Sequence, residues 1–335
     1  MNVKDETILI IGGTGSLGRQ LIETWVQNNT LVIYSRDECK QWHLKNEYAS
    51  LLKNKKDSTS LEWVVGDIRN YSKVEQTILR YKPTIIIIAA ALKHIDVCEY
   101  DLNECLETNC IGTKNVLDAI EKHEATLQDI LQTVCFISTD KACSPVNVYG
   151  MAKGLSEKMM IEKSKFMSKP KFVTVRYGNV LNSRGSIIPS LHIKGKDDGV
   201  KEFTLTHPDM TRFIMTLDQA VDLITFAIKK GISGDIIIPT LKSLKILDLF
   251  EIFSEKYNKP LKITGIRPGE KMLESLINET QARTTVMMDN HYRILPLYKV
   301  EDNNLVRIPI QDYNSTINPL SKEELKQYLE ELNLL

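Results

Sequence analysis

No charge of either sign predominates in this 335-residue chain, because lysine plus arginine and aspartate plus glutamate number 43 each. Such a balance exerts no global pull on nucleic acid or anionic lipid, so any phosphate-bearing ligand must be held by local groups. Long apolar runs are also missing. The longest, residues 85–92, falls far below the roughly 20 residues that cross a bilayer. The opening Met-Asn-Val-Lys-Asp-Glu-Thr has no basic region followed by an apolar core, so no signal peptide is expected and the chain reads as soluble and cytoplasmic. Six cysteines (Cys39, Cys98, Cys105, Cys110, Cys135, Cys143) include no Cys-x-x-Cys pair, and the six histidines show no ligand spacing. Reduced thiols and no metal follow, with Cys143 the one thiol inside the region of interest below. Internal repeats, low-complexity tracts and linkers are absent as well.

What is present is an ordinary globular composition, with length for one large or two modest domains. Short β-branched runs at 7–11, 31–34, 61–65, 84–89, 133–137, 172–176 and 235–239 read as strands buried on both faces, alternating with helical patterns. That alternation predicts an α/β fold, a right-handed doubly wound parallel sheet of Rossmann type with a smaller substrate-binding part. The first strand runs into Gly12-Gly13-Thr14-Gly15-Ser16-Leu17-Gly18 and then a helical pattern. Glycines at 12, 15 and 18 permit a tight turn, close backbone approach to a pyrophosphate and close helix packing, so dinucleotide binding is expected there.

The second strand's end selects the cofactor. Where NAD binders usually place an acid, this chain has Ser35 and Arg36, with Asp37 one step on. A guanidinium suits a 2′-phosphate, which favours NADP over NAD. Asp67, at the third strand's end, is expected either to accept from the adenine amino group or to cap the next helix. Ala89 and Ala90 would let the cofactor lie against the backbone.

Residues 136–153 carry the chemistry. The fifth strand delivers Ser138, Thr139, Asp140 and Lys141 at its carboxyl end, where open α/β sheets place ligands. Tyr149 and Lys153 stand i to i+4 on one helical face. A phenol with a pKa near 10 becomes a base only if a cation favours the phenolate, and Lys153 is the expected cation. Further on, the polar stretch 179–186, ending at Ile187-Ile188-Pro189, reads as a substrate loop, and residues 204–213 lack regular periodicity. Helical patterns at 217–228 and 246–250, a Pro268-Gly269 turn flanked by Arg267 and Glu270, and a last helix opened by the capping box Ser321-x-x-Glu324 complete the chain. The expected division is a dinucleotide-binding domain over 1–180 with about 213–240, and a smaller part over 181–212 and 241–335.

The glycine turn and Tyr149-x-x-x-Lys153 together resemble the extended short-chain dehydrogenase/reductase superfamily. Tyr-Ser-Arg-Asp-Glu-Cys-Lys-Gln at 34–41, Ala-Ala-Ala-Leu-Lys-His at 89–94, Ser-Thr-Asp-Lys-Ala at 138–142, Val-Arg-Tyr-Gly-Asn-Val at 175–180, Ser-Arg-Gly-Ser at 183–186, Met-Thr-Arg-Phe at 210–213 and Ile-Arg-Pro-Gly-Glu-Lys at 266–271 narrow the resemblance. Together they are similar to the UDP-N-acetylglucosamine 4,6-dehydratases, in particular the configuration-inverting type of the pseudaminic-acid pathway. The resemblance adds Lys40, Ile68 and Lys93 to the expected cofactor site. It implies that Lys93, Asn179, Val180, Arg184, Gly185, Ser186, Thr206, Arg212, Arg267 and Glu270 hold a nucleotide diphosphate-sugar.

It also implies the reaction. Tyr149, assisted by Lys153, would take the proton of the sugar 4-hydroxyl while hydride passes from C4 to NADP, and Thr139 would polarise the 4-oxygen. Lys141 would take the C5 proton, which requires a partly neutral amine, and Asp140 would protonate the departing 6-hydroxyl, which requires a protonated carboxyl. Hydride returns to C6, so the tightly bound cofactor is recycled. C5-retaining relatives typically carry Glu where this chain has Lys141, so inversion to the L-arabino 4-keto product is the implied outcome. The alternatives are a C5-retaining dehydratase, a UDP-sugar 4-epimerase that leaves Asp140 and Lys141 idle, and a catalytically silent NADP-binding scaffold. A homo-oligomer is the default expectation.

Overall fold

The computed structural model describes residues 3–52, 60–299 and 312–335. Among them, nine strands form the main sheet. Seven run parallel in the spatial order Leu61–Val65, Thr30–Ser35, Thr7–Ile11, Ile85–Ile88, Thr133–Ile137, Lys171–Val175, Ile236–Pro239. An antiparallel hairpin, Thr285–Met288 and His291–Ile294, extends the Ile236–Pro239 side. The chain order reverses between Thr7–Ile11 and Ile85–Ile88, which creates the crevice where doubly wound sheets bind ligands.

Each central strand is apolar throughout because each is covered on both faces. Ile8 and Ile10 pack into a core with Leu21, Trp25, Val221 and Ile224 from helices Ser16–Trp25 and Leu217–Lys230. Leu9 and Ile11 point into the opposite core, with Val74, Ile78, Val116 and Met160. Burying each such side chain contributes roughly 1.5–3 kcal/mol. No described helix is long and apolar enough to cross a membrane.

A third core lies beside the carboxyl ends of the strands. It gathers Leu181, Ile188, Leu191, Phe203, Leu249 and Phe253 with Leu325 and Leu329 of the last helix, Lys322–Glu331, which starts at the expected Ser321 capping box. The segment read as a loop after Ser186 is instead the helix Ile187–Lys196. Pro189 lies in its first turn, where a missing N–H and a fixed φ are tolerated, and Ile188 and Leu191 are its buried face. The 204–213 region holds two short strands, Phe203–Leu205 and Thr211–Met215, the second paired with Asn179–Val180 and Lys242–Lys245. Strands of three and five residues on either side of a His207-Pro208 turn are too short to show a period. Residues 285–294, placed with the smaller part in the sequence reading, pair onto the main sheet, whereas Thr211–Met215 pairs in the small one.

Candidate active site

The glycine turn is shaped by close backbone approach. Gly12 has φ +92°, and a Cβ there would stand 2.6 Å from the Ala90 nitrogen; one on Gly18 would stand 2.2 Å from the Gly13 oxygen. Gly15 opens helix Ser16–Trp25 without a side-chain cap, so the first-turn N–H groups are available to an anion. Thr14 and Ser35 hydroxyls hydrogen-bond at 2.8 Å and fasten the turn to the second strand. Across the turn lies Arg184, whose backbone N–H donates to Ser16 Oγ (3.0 Å) and whose guanidinium donates to the Thr14 carbonyl (3.1 Å). Lys93 Nζ donates to the Arg184 carbonyl at 2.6 Å. Burial, and then the Arg184 charge, lower the Lys93 pKa. Two cations held together over open helix N–H groups fit a pyrophosphate, so the cradle suits a dinucleotide.

At the second strand's end Arg36 is half exposed, 3.9 Å from Asp67 Oδ2, while Asp37 pairs with Lys40 at 2.6 Å. Asp67 does not cap the following helix. That task falls to Asn70, whose side chain accepts from Lys73 N at the start of Tyr71–Tyr81. The Asp67 carboxylate is instead forked by Arg69 at 2.7–3.1 Å, which holds its pKa below the usual range.

Strand Thr133–Ile137 ends at Ser138, and one tight turn over Asp140–Ala142 presents the next residues. Helix Val148–Phe166 then brings Tyr149 and Lys153 back across that turn. Its N-cap Asn147 accepts from Gly150 N and donates to the Gly269 carbonyl, tying the helix to the Pro268-Gly269 turn. Burial pushes the Tyr149 phenol up to about 12, with the Lys141 charge and the Thr139 hydroxyl pulling the other way. Burial brings Lys153 down to about 7, against the Glu157 charge. Lys153 Nζ donates to the Ile137 carbonyl at 2.7 Å and stands 4.3 Å from the Phe136 ring centroid. Hence the cation that draws Tyr149 down in this structure is Lys141, and the expected dependence on Lys153 alone is revised.

Lys141 departs from expectation too. Burial lowers its pKa, but the Asp140 and Glu274 charges outweigh burial and the ammonium is held above lysine's ordinary range. Its Nζ donates to Asp140 Oδ1 at 3.0 Å and stands 3.6 Å from Glu274 Oε1. The amine expected to be partly neutral is therefore a paired ammonium. Asp140 is fully buried, its Oδ1 also accepts from Thr139 Oγ1 at 2.9 Å, and its Oδ2 has no hydrogen-bond partner.

One cleft of about 1170 Å³ is lined by every expected cofactor and substrate residue and by Thr139, Lys141, Tyr149 and Lys153. Asp140 is not on its wall and lies behind Lys141 and Thr139. Arg267 and Glu270 do not face the cleft as separate groups: the guanidinium donates to Glu270 Oε1 at 2.6 Å. Arg212 donates to the Thr211 and Lys271 carbonyls. Sequence reasoning missed Glu274, which lines the cleft, because an acid in an aperiodic Gly-Glu-Lys-Met-Leu-Glu run has no local signature. It also missed the pair Arg176–Glu157, buried directly behind Ser138. Asn109 and Asn115 are structural, bonding the backbone at Leu92 and at Ile68 and Arg69.

Sheet order, switch-point crevice and glycine turn define a dinucleotide-binding protein with the fold of the short-chain dehydrogenases/reductases. A profile of polysaccharide biosynthesis proteins matches residues 8–296, and the chain belongs to that family. It is 33% identical to an inverting UDP-N-acetylglucosamine 4,6-dehydratase of Campylobacter jejuni, over 98% of this chain and 97% of that one. It is also 35% identical to a UDP-glucose 4-epimerase of Rickettsia felis, over 98% and 96%. A crystal structure of the protein Pen from Bacillus thuringiensis superposes with a TM-score of 0.88 at 31% identity, covering all of both chains.

Proposed function

We propose that this chain is a UDP-N-acetylglucosamine 4,6-dehydratase that inverts C5, a hydro-lyase working with a retained NADP. The observation that carries the reading is the convergence of Thr139, Lys141 and Tyr149 on one wall of the cleft that also holds the glycine turn. A nicotinamide held by the glycine turn, Ser35, Arg36 and Lys93 would supply the two-electron acceptor for a hydride lent by C4 of the sugar and returned at C6. Tyr149 takes the proton of the 4-hydroxyl, with Lys141 as its neighbouring cation and Lys153, one turn along the same helix, as the second amine. Thr139 donates to the 4-oxygen. The 4-ketone so formed acidifies C5–H; Lys141 takes that proton, and Asp140, bonded to both Thr139 and Lys141, supplies the proton for the departing 6-hydroxyl. Lys93 and Arg184 hold diphosphate oxygens, and Asn179, Ser186, Thr206, Arg212 and Arg267 surround the sugar nucleotide. The Ser35–Arg36 pair and Lys40 support NADP over NAD through a 2′-phosphate. A homo-oligomer in the cytoplasm completes the reading.

Mass spectrometry of UDP-N-acetylglucosamine incubated with the purified protein tests it: loss of one water is expected, and Lys141→Met should abolish that loss. Running the reaction in deuterated water and reading C5 by NMR tests inversion, and a retained centre would overturn it. Epimerisation is the second reading, favoured by the Rickettsia relative. It predicts an isomer of unchanged mass, with no loss of water at any point in the incubation.

A further inference from the structure

Lys141 is to remove a proton, yet it stands in the cleft as an ammonium between two carboxylates. A proton must leave it first, and the structure offers one acceptor on the cleft wall. Glu274 is 2% exposed, its Oε1 is 3.6 Å from Lys141 Nζ, and its Oε2 has no hydrogen-bond partner. Lys271 Nζ lies 3.6 Å from Oε2 and donates to the Cys143 carbonyl at 2.9 Å. Asp140 Oδ1, by contrast, already accepts from both Thr139 and Lys141, and Asp140 is off the wall. The Glu274 backbone is pinned by Ser315: its N–H donates to Ser315 Oγ at 3.0 Å and its carbonyl accepts from Ser315 N at 2.8 Å.

We infer that Glu274 is the proton-holding partner of Lys141, a positioning residue that takes the ammonium proton when substrate fills the cleft and so frees the amine to attack C5–H. The inference rests on the dehydratase reading and deepens it. The groups facing Glu274 are Lys141 and Asp140 from the 140–142 turn, Lys271 from its own segment and Arg212 from Thr211–Met215. Burial raises the Glu274 pKa, with the charges of Lys141, Arg212 and Lys271 opposing and that of Asp140 assisting, so the neutral acid is accessible. Expelling water favours the uncharged pair over the ion pair.

The protons balance. A Lys141 N–H bond breaks as a Glu274 O–H bond forms. C5–H then breaks onto the Lys141 nitrogen, and as C6–O breaks the Glu274 proton is passed by way of Asp140 to the departing hydroxyl as water, leaving ammonium and two carboxylates as at the start. No oxidant or reductant enters this step.

The test compares the native protein, Glu274→Gln and Glu274→Asp on UDP-N-acetylglucosamine, following cofactor reduction, C5 deuterium uptake and water loss across the neutral pH range. Glu274→Gln is expected to keep cofactor reduction while C5 exchange and water loss fall about a hundredfold. Its residual elimination should rise about tenfold per pH unit, because the amine must then lose its proton to solvent. The native profile should stay flat, and Glu274→Asp should restore part of the rate with a flat profile. Equal loss of reduction and elimination, or an unfolded Glu274→Gln with Glu274→Asp indistinguishable from native, assigns Glu274 a structural role and overturns the inference. So does an unchanged Glu274→Gln. A native protein that releases no water overturns the dehydratase reading and this inference with it; a native protein that does so beside unaffected variants overturns the inference alone.

Discussion

Arg184 bonds the glycine turn twice, through its backbone N–H to Ser16 Oγ and through its guanidinium to the Thr14 carbonyl, although the two segments lie about 170 residues apart in the chain. The loop over 182–186 is thereby strapped across the mouth of the cradle. Arg184→Ala removes a charge and the guanidinium contact but no core packing, since the residue is exposed. Dinucleotide affinity should fall about tenfold or more with thermal stability nearly unchanged, checked by isothermal titration beside a melting curve.

Arg36 separates the two cofactors. Arg36→Ala should weaken NADP binding by about tenfold, the worth of one charge-assisted hydrogen bond, while leaving NAD within about twofold. Competitive titration of both dinucleotides reads the ratio. An equal loss for both would mean that the guanidinium serves Asp67 and not the 2′-position.

Lys153 imposes a pH dependence on stability. Folded, its pKa is about 7; unfolded, it returns toward 10.5. Between those values the unfolded chain carries a proton that the folded chain lacks, so folding releases it and stability rises with pH, by at most about 1.4 kcal/mol per unit. Below pH 7 both states are charged and the full penalty of burying the ammonium remains. Lys153→Met should therefore be more stable than the native protein in acid, with the gap narrowing from pH 7 to 10.5. Denaturant titrations at several pH values measure it.

Arg176 is fully buried and forks Glu157 at 2.9 and 2.5 Å, while Ser138 Oγ donates to Glu157 Oε1 at 2.6 Å. Removing one partner strands the other charge, so Arg176→Met should cost roughly 3–5 kcal/mol and loosen the strand end that bears Thr139. The double variant Arg176→Met with Glu157→Gln should recover part of that loss, visible as non-additive unfolding free energies.

The central strands were legible because parallel elements buried on both faces leave continuous apolar runs, and three strands, Thr7–Ile11, Thr133–Ile137 and the half-exposed edge strand Leu61–Val65, have the boundaries read from the sequence. The glycine turn and the Tyr149 helix were legible for the same kind of local reason: spacing alone places their side chains. Protonation was not. Lys141 is held as an ammonium by the adjacent Asp140 and then by Glu274, more than 130 residues away, and no local pattern carries the second contact or the burial that opposes both. The antiparallel hairpin Thr285–Ile294 and the helix after Ser186 were missed because long-range pairing and a first-turn proline decide them.

Ser315 secures the backbone of Glu274 and also shares a hydrogen bond of 2.7 Å with Thr211, next to Arg212. A nascent chain that has not yet reached Ser315 has the dinucleotide cradle and the Tyr149 helix fully synthesised, yet the backbone of Glu274 lacks the two hydrogen bonds that Ser315 gives it. Cradle and acid–base wall thus draw on segments far apart in the chain, and the wall is completed only once Ser315 has been synthesised.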